Sequence, residues 1–222
     1  MIKQERAART REALVRAAAE VFAEQGFVTA SIAAISRRAG VSAGGLHFHF
    51  ENKAALALAV EDRAAEALRC VTVGGGGRAG GGSLQVLVDS SHALMALLAG
   101  DVVVRAGFEL SAESALARES GVDLRRQWRL WVEDVLRAAA REGSLADGVS
   151  PQDAARAVVA ATVGLQVLGA VDRDWVLPPT LTRFWALLLP RLAASGTLGE
   201  LVAEGTGAGD ESRTLCRGVI SD

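Results

Sequence analysis

Three groups of residues have types and spacing that chemistry could use. Ser42 sits at the centre of Gly40-Val41-Ser42-Ala43-Gly44, which satisfies the G-x-S-x-G pattern of a nucleophile elbow. That elbow needs a strand before the serine, a helix after it, and an acid and then a histidine later in the chain. The residues before Ser42 read as helix. Beyond the immediate motif the only histidine is His92, and nothing positions Asp62 or Asp89 as the acid. His47 and His49 form an H-x-H pair, but on a helix i and i+2 project roughly 200° apart and no third ligand is near. The glycine tract 74–82 lacks the Lys-Ser/Thr of a P-loop and any preceding strand. No catalytic, metal or cofactor set assembles, so an enzyme is not expected.

The same serine supports a different chemistry. Ala39-Gly40-Val41-Ser42 reads as the turn of a helix-turn-helix: Gly40 permits positive φ, Val41 pins the helices, and Ser42 caps the next one. Charge agrees with that reading. The net charge is −2, from 24 basic and 26 acidic side chains, yet residues 1–53 carry eight basic and five acidic groups, a net of +3. The remainder is −5. A basic excess in the segment that carries the motif suits phosphate contact, with Arg6, Arg9 and Arg11 as an arm against a duplex.

The elements that must position this segment are all helical. The patterning predicts helices over 8–25 (closed by Gly26), between Ser31 and Gly40, from Ser42, and over 52–70. Further windows fall at 84–99, 102–117 and 123–141. Ser150 as N-cap with Pro151 and Asp153 opens a helix to about Ala170, and the last runs from Pro178–Pro179 to about Ala194, kinked at Pro190. Val102–Val104 is the nearest approach to a strand and is too short for a sheet. The expected fold is all-α: a three-helix DNA-binding domain over 1–53, a connecting helix over 54–73, and a flexible glycine-rich linker over 74–83. A helical ligand-binding and dimerisation domain over 84–194 and a disordered tail over 195–222 follow. An apolar share of 50% excludes a disordered chain. The longest apolar stretch, 157–171, reads as a buried helix, not a membrane span. A charged N-terminus without an apolar core argues against secretion, and Cys70 and Cys216 match no metal spacing, so a reduced cytoplasmic protein is expected.

Many fixed spacings in the first segment resemble the N-terminal domain of the tetracycline-repressor (TetR) family over residues 5–62. They are Arg9-Thr10-Arg11, Ala18, Phe22, Gly26-Phe27, Ser31-Ile32, Ile35, Ala39-Gly40-Val41-Ser42, Leu46, Phe48-His49-Phe50, Lys53 and Leu56. Downstream, Val103-Val104-Arg105-Ala106-Gly107, Leu110, Trp128, Gly143 and Gly164-Leu165-Gln166-Val167 are similar to the γ-butyrolactone-type signal receptors of that family. The resemblance implies a recognition helix over 42–48 in the major groove of an operator. Ser42, Ala43, Gly44, Gly45 and His47 lie on it, and Arg9, Ser31, His49 and Lys53 beside it, as DNA-contacting positions. Capping alone also accounts for Ser31 and Ser42. The resemblance further implies a homodimer through the helices near 151–170 and 179–194, and a small apolar effector such as a γ-butyrolactone.

Leu124, Trp128, Trp131 and Val135 follow one helix stripe, which core packing explains. The resemblance adds a ligand-lining role for Trp128 and a hydroxyl contact for Thr162, whose hydroxyl could instead bond its own i−4 carbonyl. Val104, Phe108, Leu110, Val163 and Gln166 are candidate wall residues. The chain departs from the subgroup at 42–50, where relatives usually read Thr-Lys-Gly-Ala-Leu-Tyr-Phe-His-Phe. Ala43 replaces the lysine, His47 the tyrosine, and Gly45 a better helix former at about 1 kcal/mol. Weakened or redirected DNA binding is therefore expected, and a pseudo-receptor answering another antibiotic-related ligand, or none, is the alternative reading.

Overall fold

The computed structural model describes residues 2–74, 82–112 and 123–207. They are helical almost throughout and divide into two compact units, Met1–Glu66 with Asp101–Leu124, and Ala67–Gly100 with Arg125–Asp222.

In the first unit the local signals act as their chemistry requires. Helix α1 (Ile2–Thr29) is interrupted at Gly26, where φ is 75° and ψ 158°. Helix α2 (Ile32–Ala39) opens with the Ser31 hydroxyl oxygen accepting the Ala34 N–H at 3.2 Å. It closes on Gly40 at φ 66°, the left-handed conformation that glycine adopts without a Cβ penalty. Helix α3 (Ala43–His49) begins with Ser42 accepting the Gly45 N–H at 3.1 Å. Helix α4 (Lys53–Gly74) follows, its first part within this unit.

The unit does not stop at residue 53 as expected. Helix α6 (Val102–Ala112) packs on α1, and Val103, Ala106 and Leu110 join Leu14, Phe22, Ile35, Leu46, Leu56 and Val60 in one core. Helix α1 leaves an apolar face that the short α2 and α3 do not cover, and α6 packs on it. Gly107 permits its close approach to α4, because a Cβ there would collide with the Ala64 side chain. The β-branched run Val102–Val104 is helical, its start capped by the Asp101 carboxylate, which accepts the Val103 N–H at 2.8 Å.

The second unit takes the remainder of α4 and α5 (Ser83–Gly100), α7 (Leu124–Arg141, from Arg125), α8 (Pro151–Gly169), a 3-10 turn (Arg173–Val176), α9 (Pro178–Leu192) and α10 (Ser195–Leu198). Helix α5 is long and apolar enough to cross a membrane by length and composition, yet two-thirds of it is buried within the protein. Trp185 of α9 is fully buried and donates its indole N–H to the Ser91 hydroxyl of α5 at 2.8 Å. Ser150 caps α8 as expected, accepting the Asp153 N–H at 3.3 Å. Along α7 the buried stripe is Trp128, Val132, Leu136 and Ala139, with Trp131 and Val135 half-buried at its flank.

Residues 75–81 of the expected glycine linker, and 113–117 of the expected helix over 102–117, lie outside the described residues. The far end of the linker is pinned: the Ser83 N–H and hydroxyl donate to the Glu142 carboxylate at 2.9 and 2.6 Å. The Ser83 hydroxyl, above all, holds that carboxyl below the usual carboxylate range.

The tail expectation needs correction over 195–207. Its backbone lies along a stripe of polar α5 side chains. Gln85 exchanges two hydrogen bonds with Val202, at 2.8 and 3.2 Å. Asp89 accepts the Thr206 N–H and hydroxyl, both at 2.8 Å, and His92 Nε2 lies 2.9 Å from the Ala203 carbonyl. Gly205 adopts φ 82° beside Asp89 and His92. A glycine-rich composition reads as loose because it holds no apolar anchor; here buried polar side chains of another helix provide the anchor.

Candidate functional site

The two caps at Ser31 and Ser42 set α2 and α3 across a tight turn, and Val41 pins it with its N–H on the Ser36 carbonyl at 3.0 Å. Leu46 and Phe50 fix α3 to the core. Its opposite face carries Ala43, Gly44 and His47, all exposed, with Gly45 and His49 half-buried. Arg9, Ser31 and Ser42 are exposed as well. Each capping serine spends an oxygen lone pair on the helix, and its hydroxyl proton can still donate to a phosphate oxygen.

Phe48 completes this face and is a residue that sequence reasoning did not select. It is 81% exposed, with the His49 ring edge-on at 5.2 Å. An aromatic in a short helix reads as core, but Phe48 is two residues from the buried Leu46 and so points away from it. An exposed phenyl beside small residues can contact a thymine methyl in a major groove.

Several cations of the segment are already engaged within the protein. Arg38 forks onto Glu24 at 2.7 and 2.9 Å and reaches Glu20 at 3.2 Å. These bonds hold the Glu24 carboxyl below its ordinary value and push the Arg38 guanidinium up. Arg11 stacks over Phe50 at 5.1 Å. Lys53 is half-buried, and its ammonium donates to the carbonyls of Phe27, Val28 and Ala30 at 2.7, 3.0 and 2.9 Å while lying 4.6 Å from the Phe27 ring centre. Its three donors close the end of α1, a structural duty the resemblance does not imply.

Ser42 has no hydrolase surroundings: a helix turn precedes it, and its Oγ serves the α3 cap. Among the described residues no group of three or more His, Cys, Asp or Glu side chains could hold a metal ion.

The candidate effector residues fall in both units. Val104, Phe108 and Leu110 are buried in the first, where Leu110 belongs to the core shared with α1. Trp128, Thr162, Val163 and Gln166 lie in the second. There the Trp128 indole N–H donates to Thr162 Oγ1 at 2.9 Å, and the threonine hydroxyl donates onward to the Val158 carbonyl at 2.9 Å. Both side chains are 1% exposed. Of the two roles considered for Thr162, the i−4 bond is formed, and the same oxygen also accepts the Trp128 indole N–H. Trp131 stacks on Trp128 at 5.0 Å between ring centres.

Comparison with known proteins agrees with this arrangement. The family of bacterial regulatory proteins, tetR family, matches residues 14–60. The A-factor receptor protein of Streptomyces griseus is 30% identical over 209 residues, covering 92% of this chain and 71% of its own. The structure of the TetR family protein CprB from S. coelicolor A3(2) superposes with a TM-score of 0.79 at 26% identity, covering 93% of this chain and 99% of that one. CprB in complex with its biological operator sequence gives 0.73 at 25% identity, with coverage of 94% and 99%.

Proposed function

The chain belongs to the TetR family of DNA-binding regulatory proteins, and on that premise we propose that it is a dimeric repressor released from a near-palindromic operator by a small, largely apolar effector. The observation that carries this reading is the capped α2–α3 pair, whose outer face holds only small or groove-compatible side chains: Ala43, Gly44, His47 and Phe48. Ser31, Ser42 and Arg9 contact phosphates around it, and Lys53 positions the end of α1 that leads into α2. With alanine in place of the usual lysine, α3 contributes less charge and leans more on shape and apolar contact.

One such motif reads about half a site, so two copies are needed. Val167, Leu168 and Val171 at the end of α8 and Leu187 of α9 are 45–94% exposed, an apolar surface that a second copy would cover. The effector enters the second unit beside Trp128 and Thr162, as the kinship with an A-factor receptor supports. Helix α4 belongs to the first unit through Glu66 and to the second from Ala67, and is the lever by which effector occupancy shifts the population away from the DNA-competent spacing.

Footprinting the protein on its own upstream DNA, with and without lactones, tests this. Protection of two half-sites about one helical turn apart, lost on adding an effector, is expected. Absence of protection, or a stable monomer by ultracentrifugation at micromolar concentration, would overturn it.

A further inference from the structure

Helices α7 and α8 are joined by two side-chain rungs one turn apart, and the rungs differ in electrostatic character. Trp128–Thr162 is neutral on both sides, and the threonine hydroxyl both accepts and donates. In the other, the half-buried Arg125 directs Nε and Nη2 onto the single amide oxygen of Gln166, at 3.2 and 2.8 Å. Gln166 is 6% exposed.

A guanidinium fork is shaped for two oxygens of one carboxylate, and such charge-assisted pairs are roughly twice as strong as those to neutral acceptors. Two other arginines of α7 do meet a carboxylate: Arg129 pairs with Glu133 at 2.7 Å and Arg137 with Asp134. Among the described residues Arg125 has no carboxylate within ion-pair distance. Its charge is held in place, partly desolvated and, among the described residues, answered by a neutral amide.

Resting on the reading that the effector binds beside Trp128, we propose that this effector is an anionic amphiphile whose carboxylate displaces Gln166 from the Arg125 fork. Its apolar body lies against the stacked Trp128 and Trp131. A neutral lactone carbonyl offers Arg125 no more than the Gln166 amide already does, so exchanging one for the other gains nothing. A carboxylate supplies the charge and the second oxygen. Arg125 thereby becomes the residue that selects acids over lactones.

Three probes with ten-carbon skeletons and different head groups test this: sodium decanoate, γ-decalactone and methyl decanoate, titrated calorimetrically into the full-length protein. Decanoate is expected to bind at least about tenfold more tightly than either neutral probe, the ratio expected from about 1.4 kcal/mol. Arg125→Gln should erase that preference while leaving the neutral probes unchanged, and Arg125→Lys should retain part of it. Circular dichroism checks that each variant is folded. Equal or tighter binding of the lactone by the wild type, or an undiminished preference in Arg125→Gln, would overturn the inference alone. Failure of all three to bind would overturn the effector site itself and the inference with it, whereas operator protection in the footprint reports on the regulator reading independently.

Discussion

Replacing Lys53 with methionine separates two roles that the resemblance and the geometry assign differently. Methionine keeps an apolar stem against Phe27 and removes all three donors from the carbonyls of Phe27, Val28 and Ala30. A hydrogen bond from a charged group contributes about 1.5–3 kcal/mol, but here three share one ammonium and the freed carbonyls regain water at a half-exposed site, so the total loss is about 2 kcal/mol. For a chain of this size that lowers the melting temperature by about 4–8 °C. A lysine spent on phosphate would behave otherwise: its loss would leave stability alone and reduce the salt slope of operator binding by about 0.9. Thermal unfolding and gel-shift titration across a salt series measure both quantities on one variant. The expected result is a lower melting temperature with an unchanged slope. An unchanged melting temperature with the slope reduced by about one phosphate would refute the structural assignment.

Three further outcomes follow from the packing. Gly44→Ala meets open space and should stabilise the chain by about 1 kcal/mol, whereas a Cβ on Gly45 lies 2.8 Å from Val41 Cγ1 and 3.2 Å from the capping Ser42 Oγ. Urea midpoints should therefore rise for the first variant and not for the second, and equal gains would discount the close approach. The lowered pKa of Glu142 gives stability that is complete above the ordinary glutamate value and is lost as pH falls through the folded value. Glu142→Gln should remove that acid-dependent portion of the melting curve, and an unchanged acid limb would count against the Ser83 clasp. Thr206→Val removes a donor from the buried Asp89 carboxylate, at about 1–3 kcal/mol. Amide exchange over 202–206 should accelerate accordingly, and unaltered protection would show that this segment is held by other contacts.

The helix-turn-helix was legible because its signals are local. Ser31, Gly40, Ser42 and Ser150 act through bonds spanning three or four residues, and their types suffice to place them. Gly45 shows the limit of the same reasoning: propensity counts it as a loss, while its closeness to Val41 makes it a fit. Phe48 was missed because hydrophobicity predicts burial, and only the orientation of a seven-residue helix turns the ring outward. Val104, Phe108 and Leu110 are wall candidates by resemblance; that Leu110 fills the core beside α1 cannot be read from residue type.

Sequence alone determined the helical class, the caps, the turn and the basic excess of residues 1–53, since each depends on neighbours within one or two helical turns. Tertiary structure decided where polar groups found their partners. Lys53 closes carbonyls 23–26 residues earlier, Arg125 reaches Gln166 41 residues later, and Asp89 holds Thr206 117 residues away. It also decided that α6 completes the first unit. Composition records that such groups exist; only the packing of helices determines which of them meet, because a buried polar atom must find a partner and the fold alone brings one within reach.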